Sequence, residues 1–544
     1  MILPPADWLV LEGGQKGTVD IAAISRAADE SIAQASAWFE SAPNAETVAR
    51  MVLQDQRILT SMALPRASAT LERDILHVRI ASADGTELWR KAIQTTIVHQ
   101  PPAWPEFGAV EAKLRYDAPI SVRQPDGTFT SMSYADAWDP DLQDVVVTLP
   151  NGTRFVFWRG SSYIPFWAGL HNTGLCYEWA ECEPPKDAFD AVEPLMDKEL
   201  RYGRVRVVES TPARVHVRWT YQSCDFHYRV WGDSAVEDFY FYPDGFGVRV
   251  LTLQCDPKAN YEVNELIILT PQSTYPFSVL GSNLVDILFM DGQKRKLTFP
   301  FYASDQKEKM QSRDMPAIYR IRMHKNESMA AVYFSPLEKN LPMAPYGHFE
   351  DQGQVVTPVY WGSHWPLARG NTTGGAIDDR INFTPCHNSI MTWGYFLRPE
   401  PLRSAQFEMP DALGRVKPMI RQTWAWLIGM SDAGDERLLQ WARSFSAPPS
   451  LELQGARLEA EPYAPERRAV RLVVEDKTVV IRVGPREVCV NPVFELTHAP
   501  KELARVQLAE RTLAAKEYAW DGRTLWIDAT MLEATMLTLE FSAY

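Results

Sequence analysis

No apolar run in the 544 residues approaches the roughly 18 needed to carry a helix across a membrane. The start, MILPPADWLVLEGGQKG, lacks the basic region and long apolar stretch of a secretory signal. The chain is therefore expected to be cytoplasmic, with a periplasmic or secreted protein as the alternative if it is a trimmed mature form. Cysteine is scarce: Cys176, Cys182, Cys224, Cys255, Cys386 and Cys489 are scattered, with no CxxC and no zinc-ribbon spacing. They read as free thiols in a reducing compartment, a Cys176–Cys182 clip being the alternative. Cations are outnumbered, 55 Lys and Arg against 69 Asp and Glu, for a net charge of −14. That argues against a nucleic-acid partner, whose phosphates are bound mainly by Lys and Arg. It leaves room for a local basic cleft. HExxH, GxSxG, Walker A and a GxGxxG leading into a helix are all missing, which removes the usual signatures of zinc proteases, α/β-hydrolases and nucleotide-binding folds. Nor is there a fixed-period repeat of the kind that builds a β-propeller.

What is abundant is aromatic: 18 Trp and 20 Tyr suit β architecture and sugar-stacking clefts alike. Residues 18–64 carry Ile21, Ile24, Ile32, Trp38, Phe39, Val48, Met51, Val52 and Ile58 at helix-like steps, interrupted at SAPN. From about 71 the period becomes two. "DVVVTLPNGTRFVFW" and "EDFYFYPDGFGVRVLTL" are strand pairs joined by Asn151-Gly152 and Asp244-Gly245 turns. "DERLLQWARSF" is a short helix, after which "RAVRLVVEDKTVVIRVG" resumes the strand pattern. The expected fold is mainly β: a helical N-terminal segment (1–70), a large antiparallel β-sandwich of the supersandwich kind carrying the catalytic site (71–430), and a smaller C-terminal β-sandwich (431–544).

Two stretches concentrate chemistry. In "FVFWRGSSYIPFWAGLHNTG" (155–174), alternation places Phe155, Phe157 and Arg159 on one face, and Gly160 ends the strand and opens a loop carrying Tyr163 and His171. A guanidinium among aromatics needs an anion. For Arg159 that is either a substrate carboxylate or sulfate, or a protein carboxylate such as Glu178 or Glu181. The second stretch, "YWGSHWPLARGNTTGGAIDDRINFTPCHNSIMTWGYF" (360–396), sets His364, Arg369, Arg380, His387 and Asn388 between Trp361, Trp365 and Trp393. Its glycines make much of it loop, where binding groups concentrate. The alternative is an aromatic structural loop with satisfied histidines. His77 and His216 sit within strand alternation and read as structural; His227-Tyr228 and His348 are ambiguous. Asp378-Asp379 and Glu237-Asp238 could supply the two carboxylates of a glycosidase, although adjacent acids are more often surface charge. The spacing of His171, His364 and His387 proposes no metal site, so no cofactor is expected, a structural or catalytic metal remaining open.

"FVFWRGSSYIPFW" with "YEWAE", then "YPDGFGVR", "SHWPLARGNTTGGAIDDRI" and "PCHNS", resembles polysaccharide lyase family 40 and related dehydratases over roughly residues 110–400. That resemblance implies a β-eliminating enzyme on ulvan-like, uronic-acid-containing saccharides, an anionic carbohydrate partner, and no membrane or nucleic acid. The missing signal favours imported oligosaccharides over polymer. β-Elimination needs a group that neutralises the uronate carboxylate, a base for the C5 proton and an acid for the leaving oxygen. Arg159 or Arg369 suits the first role, since a guanidinium matches a carboxylate at two points. His364 or His387 suits the base, because imidazole titrates nearest neutral pH. Tyr163 suits the acid. Arg159, His171, Asn172, Trp167, Trp365, Arg380 and Asn388 are left to bind substrate, with both stretches expected to face one cleft. A glycoside hydrolase or mutarotase-like enzyme, and a non-catalytic carbohydrate-binding protein, are the competing classes. Oligomeric state is not legible.

Overall fold

The alternating segments pair as antiparallel strands in the computed structural model, which describes residues 2–3, 8–24, 32–54, 57–99, 104–114, 120–133, 136–177, 179–189, 191–270, 279–299, 301–302, 316–337, 344–345, 355–356, 359–360, 386–392, 398–410 and 414–542. The mainly-β class holds throughout, in sandwich-like layers of sheet.

The helical N-terminal segment is corrected. Lys16–Ile24, Ile32–Phe39, Ala42–Arg50 and Arg57–Arg66 are strands, split between a four-stranded and a five-stranded sheet. Their core residues recur at a spacing of two, Val19 with Ile21 and Ala35 with Ala37, and pack on Leu76, Val78, Ile80 and Ile93. Phe39 continues the core face of Ala35 and Ala37, whereas Trp38 lies on the opposite face, stacked on His77 at 5.4 Å with Arg79 and Arg90 over its ring; an apolar residue on the outer face is what imitates helical spacing. The expected break at SAPN is a hairpin turn at Glu40-Ser41, where the Ser41 amide and hydroxyl hold Asp74. Strands on both sides of residue 70 share a sheet, since Arg73–Ser82 pairs with Ile32–Phe39.

The central body lays a nine-stranded sheet against a ten-stranded one. Between them lies an aromatic core that includes Phe155, Phe157, Trp167, Trp219, Phe239 and Phe241. The Asn151-Gly152 tip joins Asp144–Thr148 to Arg154–Phe157; Gly152 takes φ 81° and donates to Leu149 O (2.9 Å), while Leu149 N–H reaches Thr153 O (3.1 Å). Asp244-Gly245 likewise joins Ser234–Phe241 to Phe246–Cys255. The tips sit side by side: Asn151 Nδ2 donates to Met430 O (3.0 Å) and Met430 N to Gly245 O (3.4 Å).

Two five-stranded sheets form the C-terminal body. Among the described residues the one complete α-helix is Asp435–Ser446. Asp435 and Glu436 in its first turn and Arg443 in its last complement the helix dipole. Its Leu438, Trp441 and Phe445 pack into a single cluster with Tyr240, Phe246 and Leu427 of the central body and Val490 and Trp526 of the C-terminal one. Cys182, Cys224, Cys255 and Cys489 are buried free thiols, so the Cys176–Cys182 clip is absent. No helix of the described residues is long and apolar enough to cross a membrane.

Candidate functional site at one rim of the central sheet

The strand Pro165–Ala168 divides the first stretch in two. Its pairing with Arg154–Phe157, Phe157 opposite Pro165 and Arg154 opposite Ala168, sends the 158–164 loop to one end of the sheet and the 169–173 turn to the other. About 13 Å of strand lies between them at roughly 3.3 Å per residue. Arg159 and Tyr163 therefore do not share a cleft with His171.

At the first end every predicted group is taken up by the protein. The Arg159 guanidinium, 4% exposed, is held by Asp144: Nε to Oδ1 at 3.2 Å, Nη2 to Oδ2 at 3.1 Å, and backbone N to Oδ1 at 2.7 Å. Nη1 donates to Leu142 O (3.3 Å), and the guanidinium lies 5.5 Å from the Trp138 ring centre. The protein carboxylate that holds it is Asp144, which the sequence reading did not name; Glu178 lies outside the described residues. Burial pushes the Asp144 carboxyl above its usual range although Arg159 opposes it. The Tyr163 hydroxyl donates to Gln143 O (2.9 Å), and burial drives its pKa far above the ordinary phenol value. A phenol so placed is a poor proton donor to substrate. Trp167 is fully buried, its Nε1 bonded to Tyr177 Oη (3.0 Å) and its ring set edge-on to Phe155, so it offers no stacking face.

The other end is different. His171 and Asn172 are exposed on the 169–173 turn, Asn172 at φ 57°, a conformation asparagine tolerates, and Leu170 beside them is 63% exposed. The His171 ring stacks on His324 at 4.2 Å and 14° between planes. His324, buried, comes from the loop between Ala317–Ile321 and Ala330–Phe334 of the facing sheet. Its Nδ1 accepts Asn326 N–H (3.1 Å), which puts the ring proton on Nε2 in the neutral form. From the same loop Glu327, 8% exposed, accepts Leu170 N–H on Oε1 at 2.9 Å. Its Oε2 is buried without a hydrogen-bond partner, as is Thr173 Oγ1. A Cβ on Gly169 would lie 2.6 Å from that Thr173 oxygen and 3.0 Å from Glu327 Oε2, so only glycine lets turn and loop approach this closely.

Sheet register brings one strand of the second stretch, Cys386–Thr392, to the same rim. Ala168 lies opposite Gly174, Gly174 opposite Leu269, and Leu269 opposite His387 in the strand Cys386–Thr392. His387 thus stands in one cross-strand row with the turn that carries His171, its Cα about 10 Å from that of Gly174 at roughly 4.8 Å per strand. Asn388, next in the strand, is buried and bonds Ile268 O and Thr270 Oγ1 (3.0 Å each), which fastens the sheet rather than facing solvent. His364, Trp365, Arg369 and Arg380 lie outside the described residues, as do Trp361, Trp393 and Asp378-Asp379. Among the described residues no three His, Cys, Asp or Glu side chains are grouped to hold a metal ion.

The glycosidase alternative loses one carboxylate pair. Glu237 points inward to Arg249 (2.7 Å), whereas Asp238 points outward to His216 (2.6 Å) and Arg218 (2.7 Å). Adjacent strand residues face opposite ways, so these acids cannot flank one bond. His216 is structural, as its alternation suggested. His324, Glu327 and Thr173 were missed. "MHKNES", a polar break between "AIYRIRM" and "AAVYF", marks a loop with a histidine and an acid three residues apart, but nothing local in it points to His171.

No protein-family profile matches the chain, and no curated protein does. Solved structures similar to it include native E. coli alpha-2-macroglobulin (8% identity, 100% of this chain and 44% of that one, TM-score 0.16) and the full extracellular region of plexin A4 (9%, 98% and 43%, TM-score 0.13). The chain spans less than half the length of either, and scores this low carry no argument about fold or function.

Proposed function

We propose that this protein is a carbohydrate-active enzyme that cleaves or dehydrates uronic-acid-containing oligo- or polysaccharides by β-elimination, at the rim formed by the 169–173 turn, the 322–329 loop and the strand Cys386–Thr392. The observation that carries the reading is the cross-strand row from Ala168 to His387, which sets the strand Cys386–Thr392 in line with the turn that bears His171. The motifs of the two stretches, and their resemblance to the lyases, supply the substrate class.

In this reading His171 and His387 exchange the protons. The base takes the C5 proton, its bonding pair becomes the C4–C5 double bond, and the C4–O bond breaks with its electrons on oxygen, which then takes up a proton. Arg369 remains the group proposed to neutralise the uronate carboxylate, because Arg159 is committed to Asp144. The exposed Leu170 offers an apolar contact for a sugar face.

The test is a panel of uronate polysaccharides and oligosaccharides followed by ultraviolet absorbance and by reducing ends. Absorbance of a conjugated unsaturated uronate that grows with time supports a lyase, and its loss from pre-unsaturated oligosaccharides supports a dehydratase. New reducing ends without the chromophore would make the protein a hydrolase. Tight binding with no product would make it a lectin-like module.

A further inference from the structure

We infer that Glu327 is a positioning residue of this rim, holding the 169–173 turn so that His171 stays stacked on His324. The inference rests on the reading of the rim as the reactive site. Glu327 Oε1 accepts the amide hydrogen of Leu170, the residue before His171, so the carboxylate fixes the backbone from which the imidazole projects. A hydrogen bond to a carboxylate is stronger than one between neutral groups. The Glu327 amide in turn donates to His324 O (3.2 Å), which ties the carboxylate and the second imidazole into one short turn of the facing sheet. One residue thus links the two stacked rings, through its side chain toward His171 and through its backbone toward His324.

The other oxygen shows that this clasp is not the cheapest way to join turn and loop. Oε2 is buried with no partner, across Gly169 from the equally unmatched Thr173 Oγ1. A buried acceptor without a donor destabilises the fold. Glutamine could accept the same hydrogen bond from Leu170 through its amide oxygen. The arrangement sacrifices stability at the one point where the orientation of His171 is decided, which is where strain and unmet polar groups are expected if orientation matters to chemistry.

The experiment compares Glu327→Ala, Glu327→Gln and Glu327→Asp in the full chain, reading kcat and KM on the substrate found by the elimination assay and amide hydrogen exchange at Leu170 without substrate. Glu327→Ala should lower kcat about 10²-fold, the cost of a misplaced reacting group, with KM little changed. Leu170 should exchange faster. Glu327→Gln, which keeps an acceptor for Leu170, should restore both. Should Glu327→Ala fail to fold, Glu327→Asp, one methylene short of the amide, carries the same expectation. Unchanged kcat in Glu327→Ala alongside an inactive His171→Ala overturns this inference alone, as does a Gln variant no better than Ala. A fully active His171→Ala removes the reading of the rim beneath it, whatever Glu327 does.

Discussion

The two ends of the strand Pro165–Ala168 carry similar residue types and treat them in opposite ways. At the 158–164 end a guanidinium and a phenol are sealed inside, each matched by a named partner: Asp144 and Gln143 O. At the 169–173 end an imidazole stands in solvent, a second lies against it, and a carboxylate oxygen and a hydroxyl beneath are unmatched. A complete hydrogen-bond inventory marks polar groups that specify a fold. An incomplete one beside an exposed titratable group marks a place to look for chemistry.

The largest expected effect lies on the open end. His171→Ala and His387→Ala should each lower kcat by about 10²–10⁴-fold, the range for a lost proton-transfer group, with far-ultraviolet circular dichroism unchanged. If both variants turn over at the wild-type rate, the contrast between the ends says nothing about function. On the closed end the loss should fall on stability instead. Asp144→Ala strands a buried guanidinium and should cost about 3–5 kcal/mol by urea denaturation, while the folded fraction keeps its turnover.

Asp233 separates "unmatched" from "functional". It is 2% exposed, its Oδ1 has no partner, and burial raises its pKa to about 6 from 3.8. Because the folded-state value is the higher, this group favours folding least when ionised. Its penalty is absent below about pH 4, grows as pH rises through 6, and levels off above. Asp233→Asn should therefore gain roughly 3 kcal/mol more over wild type at pH 8 than at pH 4, with turnover unchanged. A stability difference that does not vary with pH would show the carboxyl is not desolvated. The smallest effect belongs to Tyr163→Phe, which forfeits one hydrogen bond to Gln143 O: about 1 kcal/mol in thermal or urea melts and no change in kcat. A fall in kcat would restore Tyr163 as an acid.

Local chemistry was legible where one or two residues decide the backbone. Asn151-Gly152 and Asp244-Gly245 announce their turns because few dipeptides accept that geometry. The single loop expected from Gly160 to His171 is instead two, because Pro165–Ala168 is a strand between them. The N-terminal strands were not legible, since apolar residues on their outer faces, Trp38 over His77 and Val48 in solvent, fill in an alternating pattern until it reads as helical. Counted back from Thr148 opposite Arg154, the hairpin register carries Asp144 opposite Trp158, one residue short of Arg159, so it brings the two close without naming the pair. His324 and Glu327 reach His171 through sheet packing over more than 150 residues of sequence, a distance at which no periodicity speaks.

The helix Asp435–Ser446 determines how the molecule should come apart. Its apolar face belongs to one cluster with side chains from the central and the C-terminal sheets, so neither can melt without exposing Trp441 and Phe445. The N-terminal sheets enclose a core of their own, from Val19 to Ile97, with no member in that cluster. Scanning calorimetry should accordingly resolve two cooperative units rather than three: one for the N-terminal sheets, and one in which the C-terminal body and the rim bearing His171 are lost at the same temperature.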